Sequence, residues 1–309
     1  MAISRFLDPK NDVAFKKIFG TEEHKDILIH FINDVLELKE NDKIEDVTFL
    51  SPVQDPEIAS KKQSIVDVLC KDKNDVQFIV EMQIAPTKGF EKRAQYYAAK
   101  AYSRQLNRGQ GEDGKYKNLK EVIFIAISDC IVFPNKKSYK SDHVILDKTT
   151  YEHDLKDFSF TFIELPKFKK DNILELTNIL EKWCYFFKHA IETKDEDLQK
   201  MIGSDLVIQK AYDAVNEFNW SEDELNSYEQ ELKRIRDNIA ILDYQFDKGL
   251  QKGLEKGLEK GLEKGLEKGR EEEKIAIAIN LLKQKLDVSI ISSATGLSIE
   301  EIQKLKNKA

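Results

Sequence analysis

The segment SIVDVLCKDKNDVQFIVEMQ, residues 64–83, holds two short apolar runs parted by the polar, turn-forming KDKND. Its composition predicts a β-hairpin, Ser64–Cys70 against Val76–Gln83. Each run carries an acid where an apolar residue would be expected, Asp67 in IVDVL and Glu81 in IVEMQ, and Gln83 follows two residues after the second. Strand side chains alternate between faces, so register decides whether these groups meet. With Cys70 opposite Val76 across a five-residue loop, Asp67 faces Ile79 and Ile65 faces Glu81. Asp67, Glu81 and Gln83 then share one face, with Glu81 diagonal to Asp67 at roughly 7 Å along the backbone. Any even change of register keeps that shared face, and a one-residue slip abolishes it. Converging carboxylates repel and resist burial unless a cation joins them, and oxygen ligands with retained waters suit Mg²⁺ or Mn²⁺. Periodicity leaves a plainer reading open, in which the acids face solvent and Val66, Val68, Val76, Phe78, Val80 and Met82 form the only buried face.

Working outward, DPKNDVAFKKIFGTEEHKDILIHFINDVLEL (8–38) predicts two amphipathic helices. Asn11 or Asp12 caps the first, Gly20 ends it and Thr21 caps the second. EDVTFLSP (45–52) reads as a strand ending at Pro52, and GFEKRAQYYAAKAYSRQL (89–106) as a helix stopped by NRGQGEDG. EVIFIAISD (121–129) is nearly all apolar and β-rich, as expected of a strand covered on both faces. DFSFTFIEL (157–165) is a further strand, closed by Pro166. The expected core order is α-α-β-β-β-α-β-β, an α/β fold, over residues 1–170. A helical extension occupies 171–246, with helix from about Asp171 to Phe246.

Residues 247–273 repeat a GLEK tetrapeptide, with glycine every fourth residue from Gly249 to Gly269 and leucine from Leu250 to Leu266. Each interior glycine weakens a helix by roughly 0.8–1 kcal/mol against alanine. The repeat is therefore either a helical stalk that packs against something or an expandable spacer. Residues 274–309 form a small helical tail, in which Gly296 turns and Ser298 caps with Glu301 three residues on. That arrangement is similar to a helix-turn-helix, and a plain helical cap or dimerisation tail satisfies the pattern equally.

The chain has 309 residues and a net charge of −7, which argues against wholesale polyanion binding. The charge is uneven. Between Ala85 and Lys120 nine basic residues, Arg93 and Lys100 among them, face only three acids. No apolar run reaches the roughly 18–20 residues of a membrane span, and the N-terminal residues lack the apolar core of a signal peptide, so a cytoplasmic location is expected. Cys70, Cys130 and Cys184 lie far apart in apolar runs and predict reduced, buried thiols. The five histidines show no metal-ligand spacing.

DVLCKDKNDVQFIVEMQ (67–83) resembles the catalytic hairpin of the PD-(D/E)xK nuclease superfamily. More closely, the chain resembles the Rpn family of recombination-promoting nucleases and transposases. The matching pieces are DPKNDVAFKKIFG, VDVLC and FIVEMQ, KRAQYYAAKAYSRQL and VIFIAISD, over roughly residues 5 to 240. The resemblance implies a restriction-endonuclease-like αβββαβ core, a mixed sheet flanked by helices, with an all-helical C-terminal extension. It implies Asp67 and Glu81 as metal-binding acids for Mg²⁺, with Mn²⁺ as a substitute. Gln83 stands where most of the superfamily has lysine. An amide orients a water or a phosphate oxygen but brings no charge, so Asp67, Glu81 and Gln83 form the expected catalytic set. Asp12, Arg93 and Gln105 match supporting motifs, with Arg93 expected at a phosphate and Tyr97 in packing. Lys100 is a candidate for the missing charge.

The function so implied is metal-dependent cleavage of DNA within the strand, tied to recombination or mobile elements. The expected assembly is a homodimer through the C-terminal helices, with no membrane partner. Two other readings fit the residues alone: a catalytically weak DNA-binding accessory protein, and a non-enzymatic helical interaction module.

Overall fold

The computed structural model describes residues 5–54, 64–106, 116–203 and 205–306. The chain divides into two compact units, Met1–Lys233 and Arg234–Ala309.

In the first unit, Asn11 caps helix α1 (Asp12–Phe19), its Oδ1 accepting from the Val13 N–H at 2.9 Å. Asp12 is thereby released from capping and stands on the first turn. A side chain at Gly20 would meet the Lys16 carbonyl oxygen at 2.8 Å, which explains the glycine that ends α1. Thr21 does not cap the next helix: its hydroxyl donates to the Lys17 carbonyl oxygen at 3.0 Å. A 3₁₀ turn, Glu22–His24, intervenes before α2 (Lys25–Val35).

The strands that follow are β1 (Val47–Phe49), β2 (Val53–Gln54), β3 (Ser64–Ile65), β4 (Val68–Asp72) and β5 (Gln77–Gln83). Then come α3 (Phe90–Arg104), β6 (Val122–Ser128), β7 (Lys140–Val144) and β8 (Phe158–Glu164). A six-stranded mixed sheet runs β1-β4-β5-β6-β8-β7, and β2 pairs with β3 in a separate ribbon. The strands β5, β6 and β8 are parallel, while β1, β4 and β7 pair antiparallel. This is the mixed α/β architecture expected, with two differences.

First, the run expected as one strand from Ser64 to Cys70 breaks at Val66–Asp67. Its start pairs with β2, and it joins the main sheet only from Val68. Second, β7 was not foreseen. It is a polar edge strand whose place is fixed by its ladder to β8, with Thr161 Oγ1 donating to Asp142 at 2.7 Å. Hydropathy gives no signal for a strand of that kind.

The hairpin register also differs from expectation. Cys70 pairs with Phe78, not Val76, and the Asp72 N–H donates to the Val76 carbonyl oxygen at 3.0 Å. The loop is thus Lys73–Asp75. Asp72 Oδ1 accepts from the N–H groups of Asn74 and Val76, at 2.8 and 2.9 Å, and Asp75 takes a left-handed φ of 64°. A carboxylate gripping its own turn, followed by a left-handed residue, closes a shorter loop than composition suggests.

Both faces of the sheet are buried. On one, Val68, Cys70, Phe78 and Val80 pack with α1 and α2. On the other, Leu69, Ile79, Phe124 and Ala126 meet Phe90, Ala94, Ala98 and Ala101 of α3, whose small residues permit close approach. The reading in which only one hairpin face is buried is therefore excluded. Val66 lies with the α3 side and Val68 with the opposite side, so the break at Asp67 switches the alternation.

The region expected as continuous helix from Asp171 is broken by turns into α4 (Ile179–His189), α5 (Asp195–Ile202) and α6 (Leu206–Ala214), before α7 (Glu222–Lys283). Helices α4 and α6 complete the main core, with Trp183, Phe186, Phe187 and Tyr212 fully or almost fully buried. Trp183 stacks edge-on against Phe31 at 5.2 Å, and its indole N–H donates to Asp34 at 2.8 Å. Cys70 and Cys184 are buried free thiols, whereas Cys130, expected buried, is half-buried.

In the second unit the whole GLEK repeat is helical within α7, and its leucines stay exposed, Leu258 at 76 %. At Gly249 to Gly269 an added Cβ would meet nothing within 4 Å. Helices α8 (Val288–Thr295) and α9 (Ile299–Lys306) close a small cluster of Ala278, Ile291 and Ile302. Gly296 turns with φ 73°, and the Ser298–Glu301 capping box forms, with hydrogen bonds of 2.9 and 3.2 Å. Among the described residues no helix is long and apolar enough to cross a membrane.

Candidate active site

The break before β4 makes the site. Because Val68 pairs with Val80, the next position outward sets Asp67 across from Glu81, closer than the diagonal expected. Asp67 lies beyond the regular ladder, so side chains supply the hydrogen bonds a continued ladder would have made. The Asp67 N–H donates to Glu81 Oε2 at 3.1 Å, and the Met82 N–H donates to Asp67 Oδ2 at 2.8 Å. Each carboxylate thus spends one oxygen on backbone, and the two acids are locked side by side at the end of the strand pair.

Burial pushes both carboxyls above the ordinary carboxylate range. At Glu81, 6 % exposed, the neighbouring charge of Asp67 adds to the rise. At Asp67 the added negative charge is Asp12, whose carboxylate stands against that of Asp67. Helix α1 therefore delivers a third acid to the pair. Glu164 offers a contrast: wholly buried, it accepts from the Val132 and Phe133 N–H groups and from Lys167, at 2.5–3.0 Å, and so is fully satisfied as a structural carboxylate.

The cations beside the acids are Arg93 and Lys16. Arg93 Nη2 lies 3.9 Å from Glu81 Oε1 and donates to Gln83 Oε1. Its guanidinium lies over the rings of Phe90 and Tyr97, at 4.9 and 5.9 Å, and its Nε is buried without a hydrogen-bond partner. Lys16, one turn along α1, reaches Asp12 at 2.9 Å, and its charge opposes the rise at both Asp67 and Glu81. Sequence reading missed Lys16. Its one local signal is the four-residue spacing from Asp12, which carries meaning only once α1 is known to abut Asp67.

The remaining expected residues are distributed differently. The Gln83 amide is engaged at both ends: its nitrogen donates to the Ala85 carbonyl oxygen and to Thr87 Oγ1, the latter at 3.2 Å, while its oxygen accepts from Arg93. It anchors Arg93 and the chain after β5. Lys100 lies against the Tyr96 ring at 6.0 Å, about two helical turns past Arg93. Gln105, at the far end of α3, brackets Lys120 by hydrogen bonds of 2.9 and 2.8 Å to its carbonyl and N–H, tying the helix to the approach to β6. It is not brought to the acids. Of the basic residues after Ala85, Lys88, Lys92, Arg104, Lys117 and Lys120 are exposed, while Arg108 and Lys115 fall outside the described residues.

The donor set suits a hard divalent cation. Two adjacent carboxylates, crowded into a state that resists ionisation, gain most from a positive ion between them. Each keeps an oxygen free of backbone hydrogen bonds, Asp67 Oδ1 and Glu81 Oε1. Among the described residues no group of three or more His, Cys, Asp or Glu is placed to hold a metal ion. Mg²⁺ needs none, since one or two carboxylates plus waters and substrate phosphate satisfy it.

A mixed sheet with an acid at a strand break, a second acid on the next strand and a flanking basic helix defines a PD-(D/E)XK-type core. Its family model, described as PD-(D/E)XK nuclease family transposase, matches residues 9–245. The chain belongs to that family. The match takes in α4–α6, in keeping with their burial in the core. No curated protein and no solved structure matches the chain significantly.

Proposed function

We propose that this protein is a Mg²⁺-dependent endodeoxyribonuclease that cuts DNA in recombination or in the movement of mobile elements in the cytoplasm. The observation that carries the reading is the reciprocal lock of Asp67 and Glu81 beside Arg93. When bound, the divalent ion supplies Lewis acidity toward the phosphodiester and eases deprotonation of water. Asp67 and Glu81 would hold that ion. Arg93, steadied by Gln83 and stacked on two rings, offers a full charge to a phosphate oxygen through the exposed part of its guanidinium. The exposed lysines around α3 attract the DNA backbone although the chain as a whole is acidic. The site lies at a sheet end, where a long polymer can approach.

Two copies associate through α7, giving paired sites for the two strands of a duplex. The exposed leucines alternate with glycines that leave open space. An antiparallel pairing with Gly257 of one copy opposite Leu258 of the other also sets Leu254 opposite Gly261 on the same face. An in-register parallel pairing would set leucine against leucine and glycine against glycine, so self-complementarity favours the antiparallel one. Ridges of period four on both helices cross at about −50°, which concentrates contact on the central repeats.

Supercoiled plasmid incubated with the full chain tests the reading. Nicking is expected with Mg²⁺ or Mn²⁺, absent in EDTA, and lost in Asp67→Ala and in Glu81→Ala. Retained DNA binding without cleavage by the unaltered protein would instead support an accessory role, and neither activity would support an interaction module.

A further inference from the structure

The second acid motif leaves this site short of a positive charge. Gln83 cannot provide it, and its amide is not free to orient a water either: both ends are consumed by Ala85, Thr87 and Arg93. Arg93 is held from the α3 side and stacked in place. Lys10, on the segment leading into α1, is paired with Asp129 at 2.8 Å and only 17 % exposed, too covered to meet an incoming phosphate. Lys16 differs from both. Its stem rises from the buried helix α1, its ammonium is 2.9 Å from Asp12, and Asp12 abuts Asp67. The side chain is 41 % exposed, so an incoming phosphate can reach it.

We infer that Lys16 takes the part that a lysine at position 83 would play, supplying the mobile positive charge at the acid pair, with Asp12 as its positioning residue. The two stand one helical turn apart on one face, which fixes the ammonium without immobilising it. An ammonium on a flexible four-carbon stem can shift from Asp12 toward negative charge developing on the attacking water or a non-bridging phosphate oxygen. The charge is thus carried by α1 on one side of the sheet, while Arg93 approaches from the other. This inference rests on the nuclease reading.

The test uses the full chain, the variants Lys16→Met, Lys16→Arg and Gln83→Lys, and the double variant Lys16→Met with Gln83→Lys. Plasmid nicking in Mg²⁺ and Mn²⁺ affinity by calorimetry are both measured. Lys16→Met is expected to slow nicking on the order of 100-fold while binding Mn²⁺ as tightly as the unaltered protein or more tightly. Lys16→Arg keeps part of the rate, and the double variant recovers on the order of tenfold over Lys16→Met, because the charge returns from β5. A general structural defect would weaken Mn²⁺ binding and would not be rescued from position 83. Nicking by Lys16→Met within about threefold of the unaltered protein overturns the inference alone, as does a double variant that does not recover while Gln83→Lys by itself nicks as fast as the unaltered protein. Failure of the unaltered protein to nick with either metal overturns the nuclease reading and this inference with it.

Discussion

Replacing Glu81 by glutamine keeps the shape of a buried side chain and removes its charge. Burial and Asp67 hold the Glu81 carboxyl above its ordinary range, so above about pH 4 this position keeps more proton in the folded protein than in the unfolded chain. The contribution of Glu81 to metal-free stability therefore falls as pH rises through the raised value. Glu81→Gln is expected to be more stable than the unaltered protein by roughly 1–2 kcal/mol at pH 8, with the gap closing toward pH 4. Denaturant titrations in EDTA across that range measure it, and a gap independent of pH would contradict the assignment. That Asp67 and Glu81 share a face was legible in the sequence, because strand parity survives any even change of register, whereas their standing directly across from one another was not. Lys16 and the captive state of Gln83 were not, because both depend on which helix ends arrive beside the strand.

The hairpin shows what composition can and cannot fix at the scale of an element. The apolar runs announced β5 and β6, whose burial on both faces matches their hydropathy, and alternation announced β8. The turn escaped because its shape comes from Asp72 accepting two backbone N–H groups and from Asp75 adopting a left-handed conformation. Asp72→Ala is expected to lower stability by about 1 kcal/mol, read by chemical denaturation; an unchanged midpoint would mean that the turn holds its register without the carboxylate. The break at Asp67 escaped for a related reason. Val66 and Val68 look alike in sequence, yet the first serves the α3 side and the second the α1 side.

At the scale of the whole chain, α4 and α6 are part of the core, with Trp183 sealed among Phe19, Phe31 and Phe186. Residues 171–246 are expected as a helical extension of the core, and compactness divides the chain after Lys233. The periodic glycines and leucines marked the repeat but left helix and spacer undecided; it is helix, with its leucines uncovered. The full chain is expected to sediment as a dimer at micromolar concentration, and Leu258→Asp as a monomer. In a mixture of Leu254→Cys and Gly261→Cys chains, oxidation should link unlike variants, because the antiparallel register sets those positions opposite one another on the glycine–leucine face. Linking of like variants would indicate a parallel pair, and a monomeric parent chain would exclude association through α7.

The central claim is that Asp67 and Glu81 together hold one divalent ion. Calorimetric titration of Mn²⁺ into the metal-free full chain, beside Asp67→Ala and Glu81→Ala, tests it most directly. One saturable site in the unaltered protein that is lost in both variants is the predicted result. Equal binding by all three proteins would place the ion elsewhere and contradict the account.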